Sequence, residues 1–255
     1  MDESRFKDDF KRLVELMDES RSMTVFTGAG VSTLSGIPDF RGKHGVYTDP
    51  WNGMDVEDII SLDFFASRPE VFYAWAKDVW YHLEDYEPNV VHRTLASLER
   101  RGILKSLYTQ NIDMLHQRAG SKNVYEVHGS PEHHHCTRCH SEFDYAYVAP
   151  IVRDGRVPIC PKCGGVIKPD IVFYGESLDE NVLSSAFMDF SRTDLCLVLG
   201  SSLVVQPAAS FPVIARSNGA KVVIVNAQPT DQDRFATLHF DDLGQTFDAL
   251  SLVYG

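Results

Sequence analysis

The chain has 255 residues, enough for one large domain or two small ones. Its 44% hydrophobic and 24% charged residues are ordinary for a globular protein and exclude a disordered, collagen-like or coiled-coil chain. With 24 Lys+Arg against 36 Asp+Glu the net charge is −12, which argues against a general nucleic-acid-binding surface and would suit a cationic partner such as a Lys-rich peptide.

Residues 4–19 are expected to form an amphipathic helix, since Phe6, Phe10, Leu13 and Met17 fall on one face. A short strand at 24–27 then runs into Gly28-Ala29-Gly30 and a polar, Gly/Pro-rich loop at 32–42. Residues 62–84 are rich in aromatics and read as helical on either side of Pro69. Asn89 suits the cap of a helix over 90–101, with Val91, Leu95 and Leu98 as its apolar stripe and Gly102 as its stop. Further strands are expected at 104–108, 124–127, 170–174, 195–199 and 222–225. Each ends in small or polar residues and alternates with helical stretches. That is the pattern of a parallel, doubly wound α/β sheet, in which ligands sit at the carboxyl ends of the strands. The cysteine segment, 136–163, reads as an insertion in this pattern. No apolar run approaches the roughly 20 residues of a membrane span. The acidic start of the chain lacks a secretory h-region, so a cytoplasmic setting is expected.

Cys136-x2-Cys139 and Cys160-x2-Cys163 have the spacing of a four-cysteine zinc ribbon. Four thiolates complete a tetrahedron and leave no position for water, so one zinc ion would be structural. Two disulfides are the alternative, disfavoured in a reducing compartment. Cys196, inside an apolar strand, reads as a core residue.

Gly28-Ala29-Gly30 after a strand suggests a dinucleotide turn, in which glycines let the backbone approach a pyrophosphate. The third glycine of the usual fingerprint is missing, and so is a strand-end acidic residue about 20 positions on. An ordinary hydride-transfer dehydrogenase is therefore disfavoured. Thr109-Gln110-Asn111-Ile112-Asp113 follows one strand and His128-Gly129 ends the next. A histidine at such an edge suits a general base. Asp113 could instead cap a helix, and His128 could be a core histidine.

Taken together, these stretches resemble the sirtuins, a family of NAD-dependent protein-lysine deacylases. The matching residues are Gly28-Ala29-Gly30-Val31-Ser32, Gly36-Ile37-Pro38-Asp39-Phe40-Arg41, Thr109–Asp113 with Leu115-His116, Val127-His128-Gly129, both cysteine pairs, Pro169–Glu176, Gly200-Ser201-Ser202-Leu203 and Val225-Asn226. They occur in the family's order over essentially the whole chain. The resemblance implies a Rossmann-like NAD-binding domain (1–40, 85–130 and 168–255). It also implies a smaller domain made of a helical module (41–84) and the zinc ribbon (131–167), with NAD and an acyl-lysine peptide meeting between the two domains.

It further implies roles. Gly28, Ala29, Gly30 and Thr33 would line the pyrophosphate and adjoining ribose, Arg41 would contact phosphate, and Phe40 would cover the reacting sugar. Gly200, Ser201, Ser202, Asn226 and the Asp242-Leu243 region would hold the adenosine half. Gln110 and Asn111 would line the nicotinamide-ribose region, with Asn111 also catalytic. Asp113 and Ile112 would hold the carboxamide, and His128 would be the general base. Val172, Phe173 and Tyr174 would border the acyl-lysine channel and pair with the peptide as an added strand. The implied reaction is deacylation, foremost deacetylation, with nicotinamide and O-acyl-ADP-ribose as products. A mono-ADP-ribosyltransferase or NAD hydrolase would use the same NAD-cleaving site, and a non-catalytic NAD sensor would not need His128. The Tyr-x-x-Arg pair that holds acidic acyl groups in some members is absent, because Ala76 stands three residues after Tyr73. The oligomeric state is left open, and a monomer is compatible with the sequence.

Overall fold

The computed structural model describes residues 3–40, 42 and 45–255. Nine strands are described: β1 Met23–Thr27, β2 Leu104–Thr109, β3 Val124–Glu126, β4 Gly129–Cys136, β5 Glu142–Asp144, β6 Ile167–Ile171, β7 Leu195–Leu199, β8 Lys221–Val225 and β9 Leu238–Phe240. Six of them form one parallel sheet in the order β3-β2-β1-β7-β8-β9. The order turns back on itself beside β1, which pairs with β2 on one side and β7 on the other. Such a switch point opens a crevice at the carboxyl ends of the strands.

Successive side chains of a strand face opposite ways, and the two faces of this sheet have separate cores. Val25, Leu107, Leu197 and Val223 pack with Leu13, Met17, Leu95 and Phe247 from the helices Glu3–Glu19, Val90–Arg100 and Leu243–Tyr254. Phe26, Tyr108, Val198 and Ile224 pack on the other side with Phe190 and Phe211. The expected first helix forms as Glu3–Glu19, and Asn89 caps the helix Val90–Arg100 by accepting from Val91 N at 2.9 Å. The Asn89 amide also donates to Val31 O and Ser35 Oγ, which ties this helix to the segment after Gly30.

The strand expected at 170–174 is a correction. It forms earlier, as β6, and belongs to a second, antiparallel sheet of order β5-β4-β6. The reason is tertiary: the polar strand β4, with three histidines and little hydrophobicity, supplies the partner edge. This smaller unit has its own core. Phe65, Phe72, Trp75 and Tyr81 from the helices Leu62–Ser67 and Pro69–Trp80 and the segment that follows them pack with Val148, Phe173, Cys136 and Cys160. Pro69 starts the second of these helices, where its missing N–H costs nothing.

Candidate active site

A cleft of about 970 Å³ opens at the carboxyl ends of β1, β2, β7 and β8 and reaches the segment after β6. The turn from β1 forms its floor. Gly28 N donates to Leu199 O at 2.9 Å and Gly30 N to Gly200 O at 2.9 Å. A side-chain Cβ at Gly28 would lie 2.7 Å from Gly200 O, and one at Gly30 would lie 2.8 Å from Gly200 Cα. Here the absence of a Cβ lets two strand-end loops interlock. Gly200 itself has φ +60°, a left-handed conformation that favours glycine.

Gln110 is the hinge of the polar wall. Its backbone N–H donates to Thr27 O at 2.9 Å, and its side-chain Oε1 accepts from Ser201 Oγ at 2.8 Å. Its carbonyl lies 3.1 Å from His128 Nδ1. A carbonyl can only accept, so Nδ1 carries a proton, and when the ring is neutral its basic lone pair is at Nε2. His128, expected to end a strand, instead lies half-buried in the two-residue turn between β3 and β4, and lines the cleft.

Asn111 and Asp113 are joined through Ser32. Asn111 Nδ2 donates to Gly28 O at 3.1 Å and to Ser32 Oγ at 3.0 Å, and Ser32 Oγ donates to Asp113 Oδ2 at 2.5 Å. The direction of these bonds is fixed at both ends, by an amide N–H and a carboxylate. Both amide hydrogens of Asn111 are used, so the side chain offers its Oδ1 to a ligand. Asp113 Oδ1 accepts from Leu115 N at 2.9 Å, so Asp113 also supports the start of the helix Leu115–Arg118. Burial raises its pKa, opposed by the Ser32 hydroxyl, the Leu115 N–H and the Arg118 charge. Behind them lie two buried imidazoles, His116, with Nε2 3.1 Å from Thr27 Oγ1, and His92. Burial holds both in the neutral form, His92 down to about 4.

Ala29, Gly30, Thr33, Phe40, Gln110, Asn111, Ile112 and His128 line the cleft, as do Gly200, Ser201, Ser202, Asn226 and Leu243 and the acyl-channel trio Val172, Phe173 and Tyr174. Gly28 and Asp113 stand just behind this wall, and Arg41 lies outside the described residues. Phe40 contacts Tyr47, with ring centroids 5.2 Å apart. In the trio, Val172 N donates to His128 O at 2.8 Å, while Tyr174 N donates to Ile60 O and Tyr174 O accepts from Leu62 N. The carbonyl of Val172 accepts no backbone hydrogen bond from the described residues.

A second centre lies in the smaller unit. The Sγ atoms of Cys136, Cys139, Cys160 and Cys163 all lie within 4.8 Å of one another. Cys136 and Cys163 are 3.4 Å apart, and Cys139 and Cys160 are 3.6 Å apart. A disulfide needs about 2.05 Å, whereas thiolates around zinc at about 2.3 Å stand roughly 3.8 Å apart. The quartet therefore fits a tetrahedral metal and not two disulfides.

A model of the Sir2 family matches residues 28–207. The chain belongs to the Sir2 family. An NAD-dependent protein deacetylase of Thermotoga maritima is 44% identical over 231 residues, covering 91% of this chain and 92% of that protein. NAD-dependent protein deacylase 2 of Archaeoglobus fulgidus is 42% identical over 228 residues, covering 89% and 88%. Among solved structures, Sir2 with a p53 peptide and NAD+ matches with a TM-score of 0.86 at 42% identity over 96% of both chains. Sir2Tm bound to a propionylated peptide matches at 0.85 and 41%, again over 96% of both.

The Sir2 fold also brings residues to the cleft that sequence reasoning did not single out. Ile60 and Trp80 come from the helical module, Leu178 and Leu183 from the segment after β6, and Gln206 and Gln228 from the loops after β7 and β8. The Gly-rich and polar motifs gave no signal for these. Tyr73, by contrast, is a core residue whose hydroxyl donates to Ile167 O. No helix among the described residues is long and apolar enough to cross a membrane.

Proposed function

We propose that this chain is an NAD-dependent protein-lysine deacylase, foremost a deacetylase, that releases nicotinamide and forms O-acyl-ADP-ribose. The observation that carries this reading is the His128–Gln110 contact. It fixes an imidazole with a basic Nε2 in the same cleft as Asn111 and the glycine turn. NAD, when bound, supplies a sugar carbon that parts from nicotinamide and accepts the acyl oxygen. Gly30, Thr33, Ser201 and Asn226 bind its adenosine-diphosphate portion, as do Gly28, Ala29, Gly200, Ser202, Leu243 and Arg41. Asn111 orients the nicotinamide ribose through Oδ1, alongside Gln110. Ile112 and Asp113 hold the carboxamide, and Phe40 excludes water, which would otherwise divert the reaction to hydrolysis. His128 takes a proton from a ribose hydroxyl at Nε2.

The acyl-lysine peptide lies along Val172, Phe173 and Tyr174, where the Val172 carbonyl can accept from an amide N–H. Among the described residues lining the cleft there is no Lys or Arg, which supports uncharged acyl groups. Cys136, Cys139, Cys160 and Cys163 hold one structural zinc ion. We assign residues 1–40, 85–130 and 168–255 to the NAD-binding domain, and residues 41–84 and 131–167 to the small one. We also propose a cytoplasmic setting, whose reducing conditions keep the four thiols available for zinc.

The test is incubation with NAD and an acetyl-lysine peptide, read by mass spectrometry. The expected result is deacetylated peptide with O-acetyl-ADP-ribose and nicotinamide in equal amounts. ADP-ribose alone, or ADP-ribose attached to protein, would replace this reading with hydrolase or ADP-ribosyltransferase activity.

A further inference from the structure

Lys168, the second residue of β6, is only 3% exposed although its side chain ends in an amine. Its ammonium has three hydrogens and three acceptors: Ile171 O at 2.8 Å, Glu176 Oε2 at 2.9 Å and Pro169 O at 3.2 Å. It also sits 4.0 Å from the centroid of the Phe173 ring. Glu176 closes the arrangement from the other side. Its Oε2 accepts from Phe173 N at 2.8 Å, and its own N–H donates to Phe173 O at 2.9 Å. The two side chains thus grip the chain at 171, 173 and 176. Between those points lies Val172, whose N–H is bonded to His128 O.

A buried ion pair is a poor source of stability, because apolar residues of similar size often replace one at no loss. Its better-attested use is to specify one arrangement over others. Apart from Pro169 O, the partners of this pair lie within residues 171–176, which carry the acyl-channel trio. We propose that Lys168 and Glu176 are positioning residues that set the conformation of residues 171–176 for the acyl-lysine peptide, an inference that rests on the deacylase reading above. The pair acts on the peptide side of the cleft and forms no hydrogen bond or ion pair with the glycine turn or with Gln110, so it separates peptide recognition from NAD binding.

The experiment compares steady-state kinetics of wild type, Lys168→Met, Lys168→Arg and Glu176→Gln, with acetyl-lysine peptide and NAD varied in turn. Lys168→Met should raise the peptide KM about tenfold or more, since it removes charged hydrogen bonds. The NAD KM should stay within about twofold and kcat should change less than the peptide KM. Lys168→Arg, which keeps the charge, should recover part of the loss. If Lys168→Met fails to fold, Glu176→Gln carries the test, because it keeps shape and one acceptor and should show the same split at smaller size. Wild-type peptide KM in the folded variants, or parallel changes in peptide and NAD KM, would overturn the positioning role alone. No turnover by wild type would overturn the deacylase reading, and this inference with it.

Discussion

The wall of the cleft made by β1, β2, β7 and β8 is held by strand ends. Gln110 N is bonded to Thr27 O, Gly30 N to Gly200 O, and Asn111 to Asp113 through Ser32. The wall made by residues 171–176 has no parallel sheet behind it. It leans on a three-stranded antiparallel sheet, the Lys168–Glu176 pair and a cysteine quartet that fits a metal. The first wall inherits its geometry from a sheet buried on both faces. The second belongs to a unit with its own aromatic-rich core, in which the ion pair fixes one arrangement and the cysteine quartet fits a metal. A site between two such walls can keep its cofactor side fixed while its peptide side is tuned separately.

Zinc removal should give the largest contrast. Structural zinc sites contribute roughly 10–16 kcal/mol in isolated zinc-finger peptides, and that free energy is shared with folding. Cys136→Ala should release the metal and lower folded yield. Amide exchange should rise across β4–β6 and much less in β1, β2, β7 and β8. A soluble, zinc-free Cys160→Ala variant with normal exchange and activity would remove the metal from the account.

His128→Ala tests the junction of the two walls, since His128 touches Gln110 on one side and Val172 on the other. Loss of a general base costs about 10²–10⁴-fold in rate. Deacetylation should fall by that amount with NAD binding retained. Exchange of labelled nicotinamide, which precedes the proposed proton transfer, should survive better than product formation. Equal loss of both activities in a variant that still binds NAD would assign His128 an earlier step.

Asp113→Asn perturbs only the first wall. A charged hydrogen bond contributes roughly 1.5–3 kcal/mol, so nicotinamide exchange and nicotinamide inhibition should weaken about tenfold or more while the peptide KM holds. Normal nicotinamide inhibition would place that pocket elsewhere. The variant also carries a stability signature. Burial raises the Asp113 carboxyl above its ordinary 3.8. The fold therefore gains from its protonated form below that value and loses the gain as pH rises through the raised one. The difference in Tm between variant and wild type should shift in the variant's favour as pH rises from about 4 to 7. A constant difference would contradict the raised carboxyl.

The smallest effect should appear only in acid. His92 is neutral in the fold, with its pKa lowered from 6.5 to about 4 by burial. Its contribution to stability is full above the unfolded value and declines as pH falls from 6.5 towards about 4. His92→Gln should flatten the acid limb of the stability curve without altering peptide KM at neutral pH. An unchanged acid limb would show that His92 keeps its ordinary pKa in the fold.

Features that rest on local pattern were legible along the chain. Short, mostly apolar runs identified β1, β2, β7 and β8, because strands covered on both faces are largely hydrophobic. Cysteine spacing pointed to the ribbon, and the polar residues after each strand pointed to the cleft edge. Tertiary structure decided what local pattern cannot express. Strand β4 carries three histidines and β6 a lysine and an aspartate, so neither reads as a strand until the other pairs with it. Lys168 looks like a surface residue until Glu176, Ile171 O and the Phe173 ring surround it. The turn glycines look like a ligand cradle, yet their lack of a Cβ is first required by Gly200 and Ser201, some 170 residues away in sequence. Hydrophobicity is a property of one residue, whereas hydrogen-bond satisfaction and close packing belong to pairs that only the folded chain brings together.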